Sequence, residues 1–166
     1  NLGNNQIYLM NFNGSNQINL TNNYDYEHGV PSWSSGGKIL FYSIRNGKSH
    51  IYSINPDGTG LIDLSSVTSS TAWDYGPSSS PDGSKIAFSS NRSGNQDIWV
   101  MNVDGSNPID ITNTVGFSES RPSWSSDGNK IVYISNYDLW KIDVDGRNRV
   151  QITNDSYSNY SPRWSR

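Results

Sequence analysis

The sequence predicts an all-β fold assembled from one repeated four-stranded unit, and three observations carry that prediction. The first is a recurring element. Pro, Ser, Trp and Ser lead into an Asp-Gly turn and an alternating apolar run in PSWSSDGNKIVYIS from Pro122, with near-copies PSWSSGGKILFYS from Pro31, PSSSPDGSKIAFSS from Pro77 and a short PRW from Pro162. The second is periodicity. KIAFS, DIWVMNV and KIVYIS alternate in apolar character and favour β-branched and aromatic residues, the period of two that belongs to strands. The third is punctuation: NFNGSN, NPDGTG, NVDGSN and DVDGRN supply the positive-φ positions that tight hairpins need.

Each element of the unit can be placed in order. An apolar-aromatic pair recurs as Ile7-Tyr8, Ile51-Tyr52, Ile98-Trp99 and Leu139-Trp140, at steps of 44, 47 and 41 residues, and Gly14, Gly58, Gly105 and Gly146 follow at the same steps. A short apolar pair comes next, Ile18 and Leu20, Ile62 and Leu64, Ile109 and Ile111, Val150 and Ile152. The Pro-containing element closes the copy, with Trp33, Ser79, Trp124 and Trp164 in register. Each copy therefore reads as strands a (PSWS), b (KIAFS), c (DIWVMNV) and d (PIDIT), with b expected at 38–43, 85–90 and 130–135 and c near 6–11, 50–55, 97–103 and 138–143. A four-stranded antiparallel unit of about 40–45 residues is the measure of a β-propeller blade. The chain contains four visible repeats, approximately 6–49, 50–96, 97–137 and 138–166, giving three complete blades plus partial strands at both ends. It is expected to be one propeller domain or a segment of a larger propeller. Trp33, Trp124 and Trp164 are expected between blades, with Trp73 filling the room left at Ser79, and Ile86 and Phe88 are expected to face the inter-blade core. The last strand a and the first strand c would run parallel with no b between them, so unpaired edges or an incomplete ring make self-association an expectation.

Composition narrows the function classes. Only 33% of the 166 residues are hydrophobic, and 6 Trp, 10 Tyr and 4 Phe spread along the chain supply the burial that a folded domain needs. A formal charge of −3 without any Lys/Arg cluster argues against nucleic acid and anionic membrane surfaces as partners. No apolar run approaches the ~20 residues of a membrane span, so no membrane insertion is expected. With no Cys, disulfides and thiolate metal sites are excluded.

The pattern P-x-W-S-[SP]-D-G-x-K-I-x-[FY]-x-S, followed by R-x-G-N-x-[DQ]-I-[WY]-x-M-N-x-D-G-x-N, resembles the β-propeller repeat of TolB, the periplasmic component of the Tol-Pal system, most clearly from Tyr75 to Thr112. It is similar also to the propellers of tricorn protease and of prolyl-oligopeptidase-type peptidases. The resemblance implies a non-catalytic module that binds a protein or peptide through its loop rim. Together with a start at Asn1, read as processed or partly recorded, it implies export to the periplasm or the extracellular space. Two alternatives stay open: an accessory, gating propeller of a serine hydrolase whose catalytic domain lies outside this chain, and a carbohydrate-binding propeller.

The chemistry in the chain is sparse. There is no Gly-x-Ser-x-Gly elbow, and His28 and His50 stand in different strand contexts, His50 at an expected surface position, so no catalytic triad, cofactor or metal is expected. Asp143 to Gly146 lacks the further acidic ligands of a calcium loop and reads as a hairpin turn. The loops entering each strand a are more informative. They carry Tyr24, Tyr26, Glu27, Trp73, Tyr75, Phe117, Arg121, Tyr157 and Tyr160, aromatics beside charges that suit a recognition surface. Three residues before each Pro lie His28, Asp74, Glu119 and Asn159, expected to form a polar arc at the channel mouth. On this reading Asp74 and Glu119 act on a partner carrying a basic segment or a free amine, and scarcely on the fold.

Overall fold

The repeated runs become fourteen strands in the computed structural model, which describes residues 4–22, 26–66, 71–154 and 157–164. Strands β1 (Tyr8–Leu9) and β2 (Ile18–Asn19) form a two-stranded sheet. Blade 1 is β3 (Glu27–Trp33), β4 (Ile39–Arg45), β5 (Lys48–Ile54) and β6 (Ile62–Asp63). Blade 2 is β7 (Asp74–Ser79), β8 (Lys85–Ser90), β9 (Asp97–Asn102) and β10 (Ile109–Asp110). Blade 3 is β11 (Glu119–Trp124), β12 (Lys130–Ser135), β13 (Asp138–Asp143) and β14 (Val150–Gln151). Every pairing within these sheets is antiparallel, and no helix occurs among the described residues. The expected b and c strands are found, the first c strand shortened to two residues. Residues 162–164 form no strand, and among the described residues no other strand pairs with them.

The hydrophobic core is divided among the blade interfaces. Successive residues of a strand point to opposite faces, and blades 1 and 2 are covered on both faces by their neighbours. Ile7 and Leu20 pack with Phe41 and Tyr52 between the first sheet and blade 1. Leu40, Ile51 and Leu64 of blade 1 meet Ile86, Phe88 and Met101 of blade 2. Ala87, Ile98, Val100 and Ile111 of blade 2 meet Trp124, Ile131, Tyr133 and Ile142 of blade 3. Ile86 and Phe88 are fully buried, as the alternation required. The c–d turn of one blade also nests on strand d of the blade before it. At Gly105, with φ of +88°, an added Cβ would lie 2.1 Å from the Leu64 carbonyl oxygen, so no side chain fits there.

The tryptophans differ from expectation. Trp124 is 7% exposed, and its indole N–H donates to the Ser78 carbonyl of blade 2 at 2.9 Å. Trp33 is 56% exposed and Trp164 37%. For Trp33 the reason lies in the direction of the contact: this Trp reaches back to strand a of the preceding blade, and before β3 there is only the β1–β2 hairpin. Trp164 follows a complete blade, but its segment forms no strand that would seat it there. Trp73 does not fill the place at Ser79. It sits at the opposite end of β7, stacked on Tyr75 with centroids 6.2 Å apart. The Ser79 end instead receives the blade 1 turn, where Ser35 Oγ donates to the Ser80 carbonyl at 2.8 Å and Ser35 N to Ser79 Oγ at 3.4 Å. The cluster on this side also holds Leu40, whereas the cluster around Trp124 has the smaller Ala87 at the matching strand position.

Two turns are clamped by carboxylates. Asp82 accepts from Ser80 Oγ at 2.6 Å and Ser84 N at 3.1 Å, and Asp127 from Ser125 Oγ at 2.6 Å and Asn129 N at 3.1 Å. These bonds hold both carboxyls down at about 2, below the ordinary value of 3.8. The Asp143–Gly146 segment is a hairpin turn closed by Asp143 N on the Arg147 carbonyl at 2.9 Å.

Two outcomes are expected. In urea titrations, Trp124→Ala should lower stability by about 3–5 kcal/mol, and Trp33→Ala by about 1 kcal/mol or less because it empties no enclosed site. The folded-state values of Asp82 and Asp127 are depressed, so their contribution is present above the unfolded value and is lost as pH falls through about 2. Carbon-detected NMR titration should place both midpoints near 2, and Asp127→Asn should flatten the acid limb of the melting profile.

Candidate binding rim and channel

Each strand a carries the same irregularity. Pairing slips between Gly29 and Ser32, Tyr75 and Ser78, and Ser120 and Ser123, a β-bulge repeated in all three blades. The residue before each Pro lies in left-handed backbone: Val30 at φ +49°, Gly76 at +58°, Arg121 at +58° and Ser161 at +51°. Only Gly adopts this conformation without cost, and a β-branched Val or long Arg held there is an outlier. The bulges bend the inner strands around a cavity of about 360 Å³, lined by these four residues, the prolines that follow them, Tyr42, Tyr75 and Arg163. A second cavity of about 260 Å³ opens toward the rim between Ser118, Ile134, Asn136, Tyr137, Asn159 and Tyr160. Ser120 and Arg121 line both cavities, so the two adjoin at Arg121. The signal for this site was in the chain as Val, Gly, Arg and Ser at one repeated pre-proline position, but only the bulge shows that the position turns into the channel.

The polar arc lies beneath the rim. His28, Asp74 and Glu119 are buried, the last two completely, and only Asn159 is partly exposed. Each completes internal structure. Asp74 accepts from Arg92 Nη2 through both oxygens, at 3.0 and 2.9 Å, and the guanidinium is sandwiched over Phe88 and Trp99, each 5.1 Å from its centroid. Glu119 accepts from Thr114 Oγ1 at 2.9 Å, Ser135 Oγ at 3.1 Å and Arg149 Nη2 at 2.9 Å. Burial pushes its carboxyl above the ordinary value of 4.5, with the Thr114 bond opposing the rise and nearby Asp97 adding to it. In blade 1 His28 takes the carboxylate's place, edge-on to Phe41 at 5.6 Å, and Arg45 turns to the rings of Tyr26 and Tyr52 at 4.8 and 4.5 Å. The expected surface action of Asp74 and Glu119 is therefore corrected: a buried carboxylate must be paired, and a neighbouring Arg supplies the partner in each case. His50 is likewise mostly covered and pairs with Asp63 at 3.0 Å.

The remaining rim residues divide in two. Tyr26 and Glu27 are half-buried, and Trp73 and Tyr75 stack together. Tyr75 meets Tyr42 edge-on at 4.9 Å; burial, and after it the Glu27 carboxylate, raises the Tyr42 phenol. Phe117, Tyr157 and Tyr160 are exposed, as is Tyr137, which the sequence reading passed over. Asn159 secures its loop by donating Nδ2 to the Tyr137 carbonyl at 3.0 Å. Tyr24 lies outside the described residues. No three metal-ligating side chains converge among the described residues.

The family profile described as TolB beta propeller domain matches residues 1–165. The chain belongs to the TolB β-propeller family. A structure from Agrobacterium tumefaciens assigned as TolB superimposes with a TM-score of 0.80 at 29% identity, over 92% of this chain and 57% of that one. TolB from Acinetobacter baumannii gives 0.74 at 23% identity, over 92% and 39%. A puromycin-hydrolyzing peptidase from Mycobacterium tuberculosis gives 0.71 at 16% identity, over 93% and 27%, and shares the fold alone. No curated protein matches the chain. This TolB-family chain thus spans little more than half, or less, of the solved structures it resembles.

The buried pairs of this TolB-family propeller lead to an ordered prediction. Asp74→Asn leaves Arg92, whose side chain is 7% exposed, without its carboxylate and should cost about 3–5 kcal/mol. Glu119→Gln should cost less, because Arg149 is 24% exposed and the amide can still accept from Thr114 and Ser135. Denaturant titration of both variants checks the order.

Proposed function

We propose that this TolB-family propeller is a non-catalytic module that binds a protein or peptide at the channel end of its rim, in the periplasm or outside the cell. The observation that carries the proposal is the placement of four exposed aromatics, Phe117, Tyr137, Tyr157 and Tyr160, on the loops at the end where the two adjoining cavities open. Aromatic side chains that no interface of the fold buries provide large, stiff contact area, the usual source of binding energy at protein surfaces. The surrounding loops are anchored from below by the Asp74–Arg92 and Glu119–Arg149 pairs, so the surface is held in shape before a partner arrives. No helix among the described residues is long and apolar enough to cross a membrane. The half-buried Tyr26 and Glu27 and the stacked Trp73–Tyr75 pair form the blade 1 and blade 2 side of the same proposed surface.

Site-specific photo-crosslinking in the native cell tests the reading. A photoreactive residue at Phe117 or Tyr160 should trap a protein partner, and one at the exposed Thr59, in a c–d turn at the opposite end of the blades, should not. With the trapped partner purified, Tyr157→Ser combined with Tyr160→Ser should weaken binding by about tenfold or more at an unchanged melting temperature. Equal trapping from both ends would overturn the proposal.

A further inference from the structure

We infer that the channel end of this propeller is a carboxylate-binding site, in which Arg121, supported by Arg163, receives the free C-terminal carboxylate or an acidic side chain of a bound peptide. The inference rests on the reading of this end as the binding face, and it gives that face a chemistry opposite in sign to the one its sequence suggests.

Arg92, Arg147 and Arg149 are each ion-paired with Asp74, Asp145 and Glu119, and Arg45 lies over two tyrosine rings. Arg121 and Arg163 are exposed, line the same cavity, and form no ion pair among the described residues. Arg121 Nη1 donates to Ser161 Oγ, which holds the guanidinium over the gap between the blade 3 bulge and the next pre-proline position. Of the acids that the sequence places at this mouth, Asp74 and Glu119 are withdrawn into the blades, while Glu27 stays half-buried beside Tyr42 on the blade 1 side. Arg121 and Arg163 are therefore the two charged side chains that line this cavity, although the chain as a whole carries −3.

The backbone points the same way. Arg121 occupies a left-handed conformation that Gly76 fills in the blade before it, so a long charged side chain is kept where Gly would be at ease. Backbone strain of this kind persists where the surroundings over-determine it, and it clusters at ligand-binding positions. The bulge turns Arg121 to the point where the two cavities adjoin. A peptide crossing the smaller cavity beside Tyr137 and Tyr160 would arrive at Arg121 with the larger cavity ahead. That space, about 360 Å³ walled by prolines and by Tyr42 and Tyr75, has the volume of a small ligand site and accepts one or two residues. The planar fork of Arg matches a carboxylate through two parallel N–H donors, which a lysine cannot reproduce.

The test is an NMR titration of the protein with three probes: acetyl-alanyl-alanyl-phenylalanine with a free carboxyl terminus, the same peptide as its amide, and acetyl-alanyl-aspartyl-alanine amide. Shifts should concentrate on Arg121 Nε–H and on its neighbours Ser120 and Ser161. The free acid should bind with a millimolar or lower Kd and the phenylalanine amide at least about tenfold more weakly. Binding of the aspartyl probe comparable to the free acid would make an internal acidic side chain the ligand, and its failure to bind would make the ligand a chain terminus; both support the site. Arg121→Gln should abolish the preference for carboxylate, and Arg121→Lys should retain only part of it, with melting temperatures unchanged. Equal binding of acid and amide, an undiminished preference in Arg121→Gln, or no binding of any probe at 10 mM on the order of the weakest expected affinity would overturn it. Crosslinking at Phe117 or Tyr160 that persists alongside such a result would show that the carboxylate site fails while the protein-binding face stands.

Discussion

Blades 1 and 2 of this chain are apolar on both faces, and a sheet of that kind is stable only when a neighbour covers each side. Leu40 and Phe41, adjacent in β4, are buried in different interfaces, and the same holds for Ile86 and Ala87 in β8. The unit of stability is therefore the contact between neighbours, and no blade holds its own core. Size is matched across these contacts: the Ala87 side accommodates Trp124, and the Leu40 side meets a blade that carries Ser79. The exposure of Trp33 has the same cause, since the side chain is built for an interface whose other half is only a hairpin.

Stacking of this kind also creates the site. Packing blades face to face brings the inner strands together, and the bulge before each proline bends those strands around the channel. Three non-glycine residues, Val30, Arg121 and Ser161, are held there in left-handed backbone at a cost in energy, and the inter-blade contacts offset it. The loops above are steadied from within. Asp74 and Glu119 take arginines from different places in the chain, Arg92 from the b–c loop and Arg149 from the approach to β14, yet both arginines end in a ring-stacked pair beneath the rim.

Charge at the rim is the point on which sequence and structure part most clearly. Read along the chain, Asp74 and Glu119 precede their prolines in the same register as His28 and Asn159, and the arginines look scattered. In the folded molecule Asp74 and Glu119 are covered and paired with arginines, and Arg121 and Arg163 are the charges that line the cavity. A buried carboxylate and an exposed one can occupy the same sequence pattern, because the pattern does not record which arginine folds over it.

The repeat itself determined the strand order, the hairpin turns and the alternation that buries Ile86 and Phe88, since periodicity and turn chemistry act on backbone a few residues long. TolB-family membership was legible in the same motifs. The tertiary structure alone decided which copy of the repeated Trp is covered, that Asp74 and Glu119 serve the fold, and that Arg121 stands where two cavities adjoin. Burial and pairing depend on what the neighbouring blade brings to the contact, some 40 residues away in the chain, and a local pattern cannot encode a partner that distant.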